Sequence, residues 1–189
     1  MMDGSAYLND QLLIAMPGLD DPNFSRAVTY VCQHNESGAL GITINRASEL
    51  TVSDVLGQLE IDCLDDNWGR QHVLLGGPVH QDRGFVLHKE DGQKWKSSFP
   101  VTEHITLTTS KDILEGLANG TGPDKALLAL GYAGWGAGQL ESEMLCNSWL
   151  SSDADDQILF ESALNDRWHH SAEKLGVNID LLTGSAGHA

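Results

Sequence analysis

Residues 131–143 read GYAGWGAGQLESE and follow the apolar run Ala126–Leu130. Four glycines, at positions 131, 134, 136 and 138, precede a polar segment that is rich in helix-forming residues. We interpret this stretch as a strand, a glycine turn and then a helix over Gln139–Cys146. Because glycine lacks a Cβ atom, its backbone reaches unusual conformations and lets bulky groups approach closely. The density of glycines around Trp135 therefore indicates special geometry rather than a simple connector.

Outward from this stretch, the clearest local prediction is a hairpin near the N-terminus. Ala27–Gln33 is rich in β-branched and aromatic residues, and Asn35–Gly38 has the composition of a turn before a second strand, Ala39–Asn45. Further strands are predicted over Gln11–Met16, Val73–Leu75, Gly84–His88, Phe99–Val101, Ile105–Thr108 and Val177–Leu182.

Helices are predicted where capping residues precede apolar positions at helical spacing. Thr51 and Asp54 resemble a capping box and predict a short helix over residues 52–59. Ser110 is expected to cap a helix to about residue 119, closed by Gly120. Other helices are predicted over residues 156–160 and from Asn165 or Asp166 to 175. Residues 62–70 are interpreted as an acidic loop, and the segment after Pro123 as a buried strand or helix.

The order of these elements predicts an α+β fold. Strands dominate the first half and helices the second, a pattern that differs from alternating βαβ units. A length of 189 residues suits a single domain, residues 1–189. Residues 1–6 and 183–189 are expected to be frayed termini.

Composition and charge restrict the partners. The net charge is −16, from 27 acidic and 11 basic residues, which disfavours direct binding to nucleic acid because the long-range field repels phosphates. No apolar run approaches the ~18 residues that span a bilayer, so no membrane association is expected. A cytoplasmic location is predicted instead. The three cysteines are widely spaced, as expected for reduced thiols in the cytosol.

The glycine run matches no known phosphate-binding motif. Its spacing differs from the Rossmann G-x-G-x-x-G pattern, and no Gly-Lys-Ser/Thr ending forms a P-loop. Glu141 and Glu143 lie in the first turns of the following helix, point to different faces and would repel a phosphate. We interpret them as solvated charges. Close packing of the turn, an anion site and a site for a neutral, cationic or peptide ligand remain open.

Other candidate sites are weaker. His80 and Asp82 form an alternation that could hold a metal, although a polar loop is favoured because a third ligand is missing. Cys146 falls near a helix C-terminus and is interpreted as packing. Arg83, beside the double glycine, is the best candidate for meeting an anionic ligand because of its planar guanidinium. No catalytic residue, metal or cofactor is predicted.

Several segments together resemble the AlgH/YqgE family of uncharacterised bacterial proteins. The similarity spans about residues 7–182 and is carried by motifs in the family's order. These motifs are LIAMP at 13–17, DPNF at 21–24, HNESGALG at 34–41, Asn45-Arg46, GGPV at 76–79, RGFVLH at 83–88, GYAGWGAGQLE at 131–141 and Asn147-x-Trp149.

The resemblance implies an α+β fold with a mixed, mainly antiparallel, bifurcated sheet, part of it barrel-like, flanked by helices. It implies no established reaction and no catalytic residues. The family's name comes from a link, in some relatives, to transcriptional control of alginate production, and that link does not require contact with DNA.

Three hypotheses follow. In the first, a non-catalytic regulatory or ligand-binding protein has a small pocket between the two glycine segments, because glycines flank an aromatic and a few polar groups. Its lining residues would be Asn45, Arg46, Gly76, Gly77, Pro78, Arg83, Gly134, Trp135, Gly136, Gln139 and Glu141. The second is a hydrolase-type enzyme that uses Glu141 with a histidine such as His34, His80 or His88. The third is a protein-interaction module, upstream of a transcription factor, whose acidic surface steers a basic partner.

Overall fold

The computed structural model describes residues 7–182, and the termini predicted to be frayed lie outside this range. Within it, ten strands are combined with short helices. The strands are β1 (Gln11–Ala15), β2 (Val28–Asn35), β3 (Gly38–Thr43), β4 (Ala47–Thr51), β5 (His72–Leu75), β6 (Val79–Lys89), β7 (Ser98–Pro100), β8 (Ile105–Thr108), β9 (Ala126–Gly136) and β10 (Trp149–Asp153). The helices are α1 (Val52–Gln58), α2 (Asp66–Gly69), α3 (Lys111–Ala118), α4 (Gln139–Leu145) and α5 (Arg167–Glu173).

Contacts within the chain divide it into two compact units. Among the described residues, unit 1 comprises 7–45 and 133–182, and unit 2 comprises 46–132. Strand β9 contributes its first part to unit 2 and its last four residues to unit 1. The expectation of a single domain stays a prediction.

Unit 1 is built on an antiparallel sheet with the order β10-β1-β2-β3-β9. The inward positions of β1 and β2 are apolar, so that Leu13, Ala15 and Val31 are fully buried. They pack in one core with Trp135, Leu140 and Trp149. Helix α5 adds the indole of Trp168, whose Nε1 donates to the carbonyl of Ala15 at 2.9 Å.

Unit 2 has a mixed sheet. Strand β9 pairs in parallel with β5 and antiparallel with β6, while β6 continues through β8 to β7, and β4 pairs with β5. Helix α1 begins at the predicted capping box, since Thr51 Oγ1 accepts from the Asp54 amide at 3.2 Å and the Thr51 amide donates to Asp54 at 2.8 Å. The core of the unit contains Val52, Leu56, Val73, Ile113 and Leu128 among other apolar residues.

The glycine run differs from its predicted form. Strand β9 continues through the first three glycines and ends at Gly136, so that the turn is confined to residues 137–138. Of these glycines, Gly131 is required by close packing, because a Cβ atom there would overlap the carbonyl oxygen of Gly77. Across the sheet, a Cβ atom at Gly38 on β3 would likewise overlap the carbonyl oxygen of Trp135. Gly138 then takes the left-handed conformation, with φ of 73°, and opens α4 as predicted.

Most of the other elements are where the sequence predicts them. The β2–β3 hairpin, α1, α3 and α5 are confirmed, and the open segment after Pro123 is a strand. Two predictions are wrong, and two strands, β4 and β10, were not predicted. Residues 177–182 form a 3₁₀ turn, Ile179–Leu181, rather than a strand. The acidic segment 62–70 contains α2, because Asp65 caps the amides of Asn67 and Trp68. Strand β10 was not predicted, since its three polar residues suit an edge position that pairs with β1 alone.

The predicted fold class is confirmed. It is α+β, with a mainly antiparallel sheet that branches at β9, flanked by helices. Over residues 7–182, none of the helices combines the length and the apolar character needed to cross a bilayer.

Candidate functional site

The residues predicted to line one pocket are divided between the two units. Unit 1 contains Asn45, Gly134, Trp135, Gly136, Gln139 and Glu141. Unit 2 contains Arg46, Gly76, Gly77, Pro78 and Arg83. The shared pocket therefore stays a prediction, and each group is described within its own unit.

In unit 1, the side chain of Asn45 ties two backbone segments together. Its Oδ1 accepts from the Val28 amide at 2.8 Å, and its Nδ2 donates to the Arg26 carbonyl at 2.8 Å. Arg26 itself has a positive φ of 56°, so this bridge holds an unusual turn that leads into β2. Both ends of the Asn45 amide are thus engaged within the fold.

Glu143 organises the aromatic core of unit 1. Its Oε2 accepts from the indole Nε1 atoms of Trp135 and Trp149, both at 2.9 Å. Its Oε1 accepts from Gln139 Nε2 at 3.0 Å, while Gln139 Oε1 accepts from the Gly136 amide at 2.9 Å. The interpretation of Glu143 as a solvated charge is therefore wrong, because buried indole N–H groups require an acceptor and this carboxylate supplies it.

Glu141 contacts a different partner, His34 on β2. The Nε2 atom of His34 lies 3.1 Å from Glu141 Oε1, and the Leu8 amide donates to His34 Nδ1 at 3.0 Å. Because Nδ1 accepts, the ring proton is on Nε2 and is donated to Glu141. The interpretation of Glu141 as a solvated charge is wrong too. The pair meets the distance requirement of an acid–base dyad, yet both ring nitrogens are engaged and His34 is only 3% exposed.

In unit 2, the double glycine packs directly on Gly131 of β9. A Cβ atom at Gly76 would overlap the Gly131 carbonyl oxygen, and one at Gly131 would overlap the Gly77 carbonyl oxygen. Gly131 also has a φ of 76°, which favours glycine. The Gly76 amide donates to the Leu130 carbonyl at 2.8 Å. These glycines therefore create a close backbone contact rather than a cavity of their own.

This contact supports a bulge in β6. Val79 pairs with Tyr132 and Gly84 pairs with Leu130, so that residues 80–83 project out of register. His80 has a positive φ of 47°. The guanidinium carbon of Arg83 lies 6.0 Å from the centre of the Phe85 ring.

Beside the bulge, unit 2 has an open pocket of about 480 Å³. Half of its lining is apolar, and the polar members are amides, a hydroxyl and one charge of each sign. The residues are Leu50, Val55, Gln58, Leu59, Gln81, Asp82, Gly84, Thr109, Lys111, Leu114, Leu128 and Leu130. The volume and lining are typical of sites for small organic molecules.

This pocket was not predicted from the sequence, although some of its lining residues form a recognisable pattern there. Val55 and Leu59 are four residues apart on or just after α1, and Leu114 is on the apolar face of α3. Leu128 and Leu130 are two apart on β9, so both side chains lie on the same face of the sheet. What the sequence does not give is that these faces are incompletely filled.

The other buried titratable groups are structural. Burial lowers the pKa of His88, whose Nδ1 donates to the Lys89 carbonyl and whose Nε2 contacts Thr108 Oγ1, both at 2.8 Å. Burial raises the pKa of Cys32 and lowers that of Arg167 to about 10. Cys146 is exposed, so its interpretation as packing is wrong. Within the described part of the chain, no three His, Cys, Asp or Glu side chains form a group that suits a metal.

Comparisons with known proteins agree with the fold. A model of the AlgH-like family matches residues 12–180. A UPF0301 protein of Xanthomonas campestris is 53% identical over 182 residues, covering 96% of both chains. A UPF0301 protein of Methylococcus capsulatus is 52% identical over 188 residues, covering 100% of both.

Two solved structures are similar over nearly the whole chain. The solution structure of the AlgH protein from Pseudomonas aeruginosa has a TM-score of 0.78 and 46% identity, covering 100% of both chains. A crystal structure of a protein from Corynebacterium diphtheriae has a TM-score of 0.76, covering 97% of this chain and 95% of that one. At 18% identity, this second likeness shows the fold alone. The resemblance found in the sequence is thus confirmed, and the chain belongs to the AlgH-like family, whose function is uncharacterised.

Proposed function

We propose that this protein is a non-catalytic, cytosolic small-molecule-binding protein whose ligand site is the pocket of unit 2. The observation that carries the proposal is the half-apolar lining of a cavity of about 480 Å³. A regulatory role, as the family resemblance implies, would then depend on whether the pocket is occupied. Protein partners remain compatible with this role, since a bound ligand can alter a surface that a partner contacts.

The chemistry of the lining supports binding rather than catalysis. Leu50, Leu59 and Leu130 are partly exposed and offer an apolar surface that gains free energy when a ligand displaces water from it. The polar groups Gln58 and Gln81 can orient a ligand through hydrogen bonds. The lining contains no histidine or cysteine to act as a base or nucleophile.

The alternative of a Glu/His enzyme has one observation in its favour, the 3.1 Å contact between His34 and Glu141. A general base needs a free lone pair that can reach a substrate. His34 uses Nδ1 to accept from Leu8 and Nε2 to donate to Glu141, and its side chain is buried. The arrangement therefore favours a structural role for this pair.

The proposal can be tested by filling the pocket from β6. A Cβ atom at Gly84 would lie 3.6 Å from Leu128 Cδ1, which is ordinary contact, so Gly84→Leu adds a side chain at the pocket wall without backbone strain. Gly57→Leu is the matched control, since a Cβ atom there meets nothing within 4 Å and Gly57 does not line the pocket. A library of neutral apolar fragments is screened by ligand-observed NMR against the natural protein and both variants.

We expect fragments that bind the natural protein to bind Gly57→Leu equally and to lose binding to Gly84→Leu. Circular dichroism and the cooperativity of thermal unfolding check that both variants are folded. The proposal is wrong if no fragment binds, or if the bound fragments are insensitive to Gly84→Leu in the folded variant.

A further inference from the structure

The charges around the pocket of unit 2 point to a ligand class. We infer that the pocket takes an apolar organic cation, such as a protonated amine on a hydrocarbon or aromatic body, with Asp82 as its counter-charge. We further infer that it discriminates against carboxylates and phosphates of the same apolar body. This inference rests on the proposed function and adds the chemistry of the ligand to it.

Asp82 is the acidic residue of the lining, and it lies on the bulge of β6. Asp82 is exposed, and over residues 7–182 its carboxylate has no hydrogen bond or ion pair. An unpaired carboxylate at the edge of an apolar surface can accept one or two hydrogen bonds from an ammonium group. An apolar amine would bind the carboxylate of Asp82 through its ammonium group and the apolar lining through its hydrocarbon body.

Lys111 is the opposing charge of the lining, and its effect is reduced. Its Nζ lies 3.9 Å from Glu115 Oε1, one turn further along α3. Both side chains are 55% exposed, so this pair is weak but places a negative charge beside the positive one. The local balance around the pocket is therefore not positive, in spite of the lysine.

Arg83 does not add a positive charge to the pocket. Gly84 lines the pocket, whereas the guanidinium of Arg83 lies beside the ring of Phe85. Neither Arg83 nor Phe85 lines the pocket.

The charge of the whole chain acts in the same direction. At −16 it raises the local concentration of cations and lowers that of anions near every cleft. A field of this sign steers association without specifying a site. Selectivity for one cation therefore requires both the apolar wall and the unpaired Asp82.

The test uses three probes with one apolar body and different head groups: 4-phenylbutylamine, 4-phenylbutan-1-ol and 4-phenylbutyrate. Their dissociation constants are measured by NMR titration at pH 7 and low salt. The proteins are the natural chain, Asp82→Asn, Glu103→Gln as a control, and the pocket-filling variant Gly84→Leu. Glu103 is 84% exposed in its side chain and outside the pocket lining, and Asp82→Asn and Glu103→Gln change the net charge equally.

We expect the amine to bind about tenfold more tightly than the carboxylate, because Asp82 attracts the ammonium group and repels the carboxylate group. In Asp82→Asn the preference for the amine over the carboxylate should fall to about threefold, because the net negative charge of the chain still favours the amine. In Glu103→Gln the preference should stay at about tenfold. Binding of the alcohol should be the same in the natural chain and in both charge variants.

Two outcomes would overturn the inference, and they differ in what they leave standing. If the carboxylate binds as well as the amine, or if Asp82→Asn keeps the full preference, the cation inference is wrong and the apolar pocket remains the site. If none of the three probes binds, or if binding survives Gly84→Leu, the proposed function fails and the inference fails with it.

Discussion

The two units of this protein differ in how their polar and apolar groups are packed. In unit 1, polar side chains near the glycine run are engaged by one another, as in the contacts of Glu143 with Trp135 and Trp149. In unit 2, the glycines make a close backbone contact, and an apolar wall beside it is left open. The comparison teaches that an unusual sequence motif can mark tight packing, while the proposed ligand pocket lies among ordinary leucines.

The difference has a physical origin in what each kind of group requires. A buried indole N–H or imidazole without a hydrogen-bond partner lowers the free energy of unfolding by about 1–3 kcal/mol. The stability of the fold therefore explains why unit 1 has polar residues that supply these partners. An apolar surface that remains accessible to water gains nothing from exposure. Unit 2 therefore retains a feature that stability alone does not explain.

The largest expected effect is on unit 1. Removal of the shared acceptor in Glu143→Ala leaves two buried indole donors unpaired and should lower the free energy of unfolding by about 4 kcal/mol. Urea denaturation followed by tryptophan fluorescence measures this loss. Glu115→Ala, at an exposed position, is the control and should change stability by no more than about 0.5 kcal/mol. Equal effects in the two variants would mean that Glu143 does not organise the core.

A second substitution tests the glycine contact of unit 2. Gly131→Ala should destabilise the protein by about 3 kcal/mol, because φ is positive and the added Cβ would overlap two carbonyl oxygens. Gly57→Ala, inside α1, should instead stabilise by about 1 kcal/mol through helix propensity. The same urea experiment distinguishes them, and a neutral Gly131→Ala would show that residues 76–81 are not held as described.

The pair of His34 and Glu141 offers a smaller effect. His34→Ala should cost about 2 kcal/mol, because it removes the acceptor of the Leu8 amide and the donor to Glu141. Hydrogen exchange of the Leu8 amide should then become faster. His104→Ala, at an exposed ring, should leave both stability and exchange unchanged. Unchanged Leu8 exchange in His34→Ala would contradict the assigned tautomer.

The smallest predicted effect is the pH dependence that arises from His88. Burial lowers its pKa below the ordinary value of 6.5, so the unfolded chain binds the proton more readily than the folded one. This contribution is fully present above pH 6.5 and is lost as pH falls through the lowered pKa. His88→Gln should therefore flatten the fall in stability between pH 7 and 5, while His72→Gln, exposed on β5, should not. If the free energy of unfolding falls with the same slope in His88→Gln, His88 is not the source of the pH dependence.

Much of the fold could be predicted from the sequence. The capping box at Thr51 and the turn at Asn35–Gly38 are local signals, and local chemistry decides them. Strand β10 escaped prediction because pairing with β1, far along the chain, stabilises a segment with weak strand propensity of its own. Long-range pairing of this kind has no signature within a short window.

The candidate site was less predictable for a related reason. Polar residues such as Asn45 and Glu141 attract attention in a sequence, yet their partners decide whether they are free to bind anything. The pocket depends on how completely Leu50, Leu59 and Leu130 are covered, and coverage is a property of packing rather than of composition.

The most direct test of the central claim is a titration of methyl-labelled protein with 4-phenylbutan-1-ol, followed by ¹³C methyl NMR. Leucine and valine methyls report on both units within one spectrum. We predict saturable shifts at Val55, Leu114, Leu128 and Leu130, which line the pocket, and none at Leu13 or Leu140 in the core of unit 1. Shifts centred on Leu13 and Leu140, or no saturable shift at the pocket methyls, would contradict the account.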